Sequence, residues 1–111
     1  FNFGPHAQQN HSVSELIDEM AIYWDNVRWK DSSKDQQYHY EAGLLKLNCD
    51  KSLHCLQWLP TMHFEETVRM TVQWYKHYYQ NSEESIQKFS MGQIEQYAML
   101  AQQQKLPWAD I

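Results

Sequence analysis

Apolar residues recur at intervals of three and four along several stretches of this chain. Val13, Leu16, Ile17, Met20, Ala21 and Trp24 fall on one face of a helix, as 3.6 residues per turn requires. Ser12 and Glu15 precede them as a Ser-x-x-Glu capping box, in which each end satisfies a backbone donor of the other. A second stripe runs through Phe64, Val68, Val72, Tyr75 and Tyr79. It predicts a helix opening at His63, with Glu65 and Glu66 in its first turn, where negative charge suits the dipole. Asp50 predicts the cap of a short helix through Leu56. Ser90 and Gln93 read as a second capping box. The helix they open turns Met91, Ile94, Ala98 and Ala101 inward and ends at Leu106-Pro107-Trp108.

Between these helices the pattern changes. Phe1 to Pro5 alternates aromatic and polar residues, then stops at Gly4-Pro5, which predicts a short strand and a turn. Val27-Arg28-Trp29 and Leu44-Leu45-Lys46-Leu47 predict two more short strands, and the polar residues 30 to 40 a loop. Residues 80 to 88 predict a polar linker. The expected fold is therefore α+β and helix-rich, with three to four helices and a few short strands. The 111 residues suit a single domain over 1–111, its last portion, 89–111, forming a helical tail.

Charge and composition narrow the function classes. The formal net charge is -5, and phosphate-rich partners need clustered Lys and Arg, so neither nucleic acid nor an anionic membrane surface is expected. No apolar run has the length of a membrane span, and no signal peptide is visible. Cys49 and Cys55 are the only cysteines. Their spacing on a short predicted helix argues for free thiols in a reducing cytoplasm. The six histidines include no His-x-x-x-His pair, so no metal site is expected. Trp24 and Trp58 lie within apolar patterns and are expected in the core. Trp74 lies off the main stripe of its helix and is expected to meet a second neighbour.

Several segments together resemble a known family. Leu56-Gln57-Trp58-Leu59-Pro60, followed by Thr71-Val72-Gln73-Trp74-Tyr75, resembles the C-terminal signature of sugar-nucleotide-modifying enzymes of the extended short-chain dehydrogenase/reductase superfamily. Phe1-Asn2-Phe3-Gly4-Pro5, Glu41 to Asn48 and the region around Gln93 to Tyr97 narrow the resemblance to CDP-glucose 4,6-dehydratases. It runs nearly end to end here and covers about the last third of such an enzyme. It implies a small substrate-binding lobe that packs beside a Rossmann-type domain. It also implies a parent reaction in which bound NAD and a Tyr-x-x-x-Lys pair carry the redox step.

Neither feature is present in this chain. Gly4, Gly43 and Gly92 are too scattered for the Gly-x-Gly-x-x-Gly turn that holds a dinucleotide, and Tyr75 and Tyr79 form Tyr-x-x-x-Tyr. No catalytic or cofactor-binding residue is therefore assigned, NAD being left to the parent enzyme. The resemblance places the segment His39, Tyr40 and Glu41 at the nucleotide end of the substrate, where a Glu41 carboxylate can accept a hydrogen bond from the amino group of cytosine. The competing reading of Glu41 is a solvated loop acid. Gln57 stands where the family has glycine, which implies a left-handed backbone at that residue, and Asn48 where it has aspartate. The expected function is the substrate-binding lobe of an enzyme that converts CDP-glucose to a 4-keto-6-deoxy sugar nucleotide, incompetent for catalysis alone. The alternative is a non-catalytic module derived from that lobe, which binds a nucleotide sugar weakly or self-associates through the surface that the larger domain normally covers.

Overall fold

The computed structural model describes residues 1–30, 46–80 and 83–109. Among the described residues there are four α-helices: α1 (Val13–Tyr23), α2 (Asp50–Leu56), α3 (Phe64–Tyr79) and α4 (Ile86–Gln103). A single turn of 3-10 helix follows at Pro107–Ala109. No strand occurs among the described residues, so the α+β expectation is corrected to an all-helical architecture. Residues 1–5, 27–29 and 46–47 are irregular, and Leu44 and Leu45 lie outside the described residues. Phe1 and Phe3 alternate with polar residues because they pack against side chains. Phe1 lies under the Lys51 amine at 5.0 Å, and Phe3 meets the Trp58 ring edge-on at 5.0 Å. Alternation makes a strand only where a ladder partner exists.

α3 lies between α1 and α4. Its residues divide by angle around the helix. Val68, Val72 and Lys76 are four apart and form one stripe. The Lys76 amine reaches the Tyr23 carbonyl at 3.3 Å, which supplies a cation to the end of α1, whose own last turn has no basic residue. Met70, Trp74 and His77 form a second stripe, toward α4. The Trp74 indole N–H donates to the Ser90 hydroxyl at 2.8 Å, the Gln93 amide donates to the Met70 carbonyl at 2.8 Å, and His77 stacks on Phe89 at 4.2 Å. Trp74 thus has the second neighbour expected of it.

The buried apolar set among the described residues is small: Val68, Met70, Val72, Ala101 and Ala109. The molecule is a slab, 53 × 41 × 19 Å, with a radius of gyration of 17.0 Å, where a compact domain of this length has about 13 Å. Much of the apolar surface therefore faces outward. Tyr75 and Tyr79, expected inside, are 47% and 63% exposed, and Met91 and Ile94 are 54% and 64% exposed. The inner face of α4 is instead made by Ser90, Gln93, Tyr97 and Ala101, which lie close in angle. Trp58 and Trp24 are only partly buried.

The caps explain the helix limits. The Ser12–Glu15 box forms as expected. The Ser12 hydroxyl accepts from Glu15 N–H at 3.2 Å, and the Glu15 carboxylate accepts from Ser12 N–H at 2.6 Å. Those bonds, the backbone one first, hold the Glu15 carboxyl below its ordinary range. At α3 the Glu66 carboxylate accepts from the His63 N–H at 3.1 Å. α4 begins a turn earlier than expected. Ser85 is its cap, accepting from Lys88 N–H at 3.2 Å. Ser90 lies inside the helix, its hydroxyl donating to the Ile86 carbonyl at 2.7 Å. Two left-handed residues end helices. Gln57 (φ 51°, ψ 28°) ends α2. Lys105 (φ 54°) follows α4, where Leu106 N–H bonds the Ala101 carbonyl at 3.1 Å and Lys105 N–H the Gln102 carbonyl at 2.9 Å. The latter pair is the Schellman arrangement.

Candidate functional site

α2 stands off the three-helix layer and is pinned by the N-terminal segment. The buried Ser52 hydroxyl donates to the Asn2 carbonyl, and the Asn2 amide donates to the Asn48 carbonyl at 3.2 Å. Asn48 also organises the start of α2. Its side-chain oxygen accepts from Asp50 N–H at 2.9 Å, and its amide donates to the Asp50 carboxylate at 3.1 Å. Asn48 and not Asp50 is thus the residue that caps this turn, a role its short amide suits. A side-chain carbon on Gly4 would lie 3.3 Å from the Cys49 sulfur, so the absence of one lets the N-terminal segment lie close against the start of α2.

On the other side, Gln57 turns the chain, and Trp58 to Met62 form a strap without regular secondary structure. α4 and the residues after it hold this strap. Trp108 donates its indole N–H to the Leu59 carbonyl at 3.2 Å, and Gln104 its amide to the Thr61 carbonyl at 2.9 Å. Tyr97 stacks on Trp108 at 5.6 Å.

Between the N-terminal segment, residues 46–50 and this strap lies a cleft of about 1040 Å³. Its apolar surfaces include Phe3, Trp58 and Tyr97. Its polar side chains include His6, His11, Lys46 and Asp50. Lys46 donates to the Ala7 carbonyl, which ties the two chain segments together and sets a cation at the cleft wall. His11 stacks on Phe64 at 3.7 Å. Gln9 meets the His63 ring nitrogen at 3.1 Å. The Thr61 hydroxyl, in the cleft wall, is buried and has no hydrogen-bond partner among the described residues. This set can hold a ligand with a flat or sugar-like part against the rings and an anionic part near Lys46. No group of three or more His, Cys, Asp or Glu side chains among the described residues is placed to hold a metal ion.

His39, Tyr40 and Glu41 lie outside the described residues. Lys46, five positions after Glu41, lines the cleft. The histidines, Lys46 and Tyr97 of the cleft were not picked out from the sequence. The signal was present in the motifs: Phe3-Gly4-Pro5, Leu47-Asn48 and Trp58-Leu59-Pro60, quoted above for the family resemblance, all line this one cleft.

Comparison with known proteins finds a distant relative. The chain is 32% identical over 77 residues to CDP-glucose 4,6-dehydratase of Salmonella typhimurium (strain LT2), a match that covers 68% of this chain and 21% of that protein. The two are distantly related, and the matched stretch is about a fifth of the relative's length. No family model matches the chain, and no solved structure matches it. No helix among the described residues is long and apolar enough to cross a membrane.

Proposed function

We propose that this chain is part of the substrate-binding region of a sugar-nucleotide 4,6-dehydratase, and that its cleft takes up CDP-glucose. One observation carries the reading. Three motif segments far apart in sequence, which share no secondary-structure element, converge on one cleft, in a chain distantly related to a CDP-glucose 4,6-dehydratase. In this reading Trp58, Phe3 and Tyr97 supply flat surfaces, and Lys46 offers charge to the pyrophosphate. Glu41, in the segment leading to Lys46, accepts from the cytosine amino group.

The chain's own residues bind and orient the substrate. They do not fit a dinucleotide: Gly4 lies in the N-terminal segment, Gly92 in the middle of α4, and no Gly-x-Gly-x-x-Gly turn occurs. The redox and elimination steps then belong to other parts of such an enzyme. The free thiols of Cys49 and Cys55 support a reducing, cytoplasmic setting. The alternative of a non-catalytic assembly module is favoured by one feature, the exposed tyrosine face of α3.

Affinity and base preference test the reading. Ligand-observed NMR should show CDP-glucose binding at about millimolar concentration, an interaction of roughly 4 kcal/mol, and weaker binding of UDP-glucose. Glu41→Ala should remove the difference, which a charged hydrogen bond sets at about 1.5–3 kcal/mol. Equal binding of both nucleotides, unchanged in the variant, would reject the role of Glu41. Binding of neither would reject the proposed function.

A further inference from the structure

A buried polar side chain in a native fold has a hydrogen-bond partner as a rule, because an unmade bond costs the whole desolvation of the group. Ser52 and Thr61 are the buried polar side chains among the described residues. Ser52 donates to the Asn2 carbonyl. Thr61 is 3% exposed, and its hydroxyl has no partner among the described residues. The fold nonetheless fixes its backbone. The Thr61 carbonyl accepts from the Gln104 amide at 2.9 Å, and the Leu59 carbonyl from the Trp108 indole at 3.2 Å. Both bonds anchor the strap to the end of α4 and the turn after it. Thr61 thereby borders the cleft. A rotation about its Cα–Cβ bond to another staggered position, or a slight shift of the irregular strap, turns the hydroxyl into the cleft.

We infer that the Thr61 hydroxyl is a binding contact of the cleft, donating to a diphosphate oxygen of the nucleotide sugar. The inference rests on the function proposed above and adds a residue to it. A hydroxyl can donate or accept, and its surroundings decide which. Lys46 is bonded to the Ala7 carbonyl. Gln9, two residues further on, meets the ring of His63, which lies two residues after Thr61. The stretch from Ala7 to Gln9 therefore links the Lys46 cation to the strap. The carboxylate of the cleft, Asp50, lies at the start of α2 and already accepts from the Asn48 amide. A cation and a hydroxyl donor joined in this way suit an anionic oxygen, to which hydrogen bonds are strongest. A contact kept for a ligand leaves a signature, because what it gives to binding it takes from the stability of the chain. Removing the hydroxyl while keeping the side-chain shape should stabilise the fold and weaken the ligand. A hydroxyl that serves the fold alone does the opposite to stability.

Two readouts on the full chain test it, thermal unfolding and NMR titration with CDP-glucose and with CDP. Thr61→Val, which keeps the branched shape and deletes the hydroxyl, should raise the melting temperature by about 4 °C or more. The same variant should bind CDP-glucose about tenfold more weakly than the parent. CDP, which keeps the diphosphate and lacks the hexose, should lose affinity by the same factor. Thr61→Ser keeps the hydroxyl and should hold the parent affinity within about twofold, although it melts lower for the lost methyl group. A valine variant that melts no higher than the parent overturns the inference, since the hydroxyl then has a partner within the fold. A more stable valine variant that binds as the parent does, or a serine variant as weak as the valine one, overturns the binding role. A loss seen with CDP-glucose and not with CDP overturns the diphosphate contact. A parent chain that binds neither ligand overturns the proposed function, and this inference with it.

Discussion

Replacing Gln57 by glycine should stabilise the chain by roughly 0.5–1 kcal/mol. Gln57 ends α2 with φ 51° and ψ 28°, where the side-chain carbon of an L-residue crowds the following carbonyl oxygen at a cost of about 1–2 kcal/mol. Glycine has no such carbon. It gives back about 0.4–1 kcal/mol through the greater freedom of its unfolded chain, which leaves the net gain stated. Nothing else of value is lost, because the Gln57 side chain is exposed and enters no described hydrogen bond. The turn itself stays, since the N–H groups of Gln57 and Trp58 both point to the Ser52 carbonyl. Urea unfolding followed by tryptophan fluorescence measures the effect, with an equal slope in both proteins showing that the unfolded state is unchanged. For a domain of this size a gain of about 1 kcal/mol raises the melting temperature by roughly 4–8 °C. A Gln57→Gly variant that melts at or below the parent temperature would refute the reasoning.

Three further outcomes are expected. Val72→Ala removes two methyl groups from a fully buried site on α3 and should cost roughly 2 kcal/mol, the transfer term plus a small cavity; an effect under about 0.5 kcal/mol, typical of a surface change, would show that α1 and α3 do not pack there. Glu15 has its carboxyl held below the ordinary value of 4.5 by the Ser12 backbone and hydroxyl. Its contribution to stability is therefore fully present above that value and lost as the pH falls through the lower folded one. An NMR titration should find the depressed value, and Ser12→Ala should partly restore it; an ordinary Glu15 titration in the parent chain would contradict the capping box. Trp74→Phe keeps one aromatic ring but removes the pyrrole ring with its N–H, leaving the Ser90 hydroxyl without its donor, and should cost at least about 1 kcal/mol in the same urea assay.

What could be read from the sequence was what depends on near neighbours. The α1 cap needs only Ser12 and Glu15, three residues apart. The left-handed turn at Gln57 was legible because the enzymes this segment resembles have glycine there. The tyrosines of α3 show the limit of periodicity: their spacing is helical, but spacing does not say whether a packing partner covers the stripe. The same limit applies to Met91 and Ile94, whose face of α4 is not the one that meets α3. Ser90 followed by Gln93 matched a capping pattern, while Ser85 supplied the actual cap and let α4 begin a turn earlier. The expected strands failed because a strand requires a partner, and Phe1 and Phe3 found side-chain partners instead. The cleft was hidden for a related reason. Its walls come from the first ten residues, the start of α2 and the strap after Gln57, and they are held together by bonds such as Gln104 to Thr61 across 43 positions.

The central claim is that the cleft between the N-terminal segment and the Trp58–Met62 strap holds a cytidine diphosphate sugar. The most direct measurement is a protein-observed NMR titration of the isotope-labelled chain with CDP-glucose to about 10 mM, high enough to reveal millimolar binding. The Trp58 indole signal and the amides of Gly4, Leu47 and Asn48 should shift together along one saturation curve, while the indole signals of Trp29 and Trp74, which lie outside the cleft, stay fixed. An unshifted spectrum at that concentration, or shifts confined to residues outside the cleft, would contradict the account.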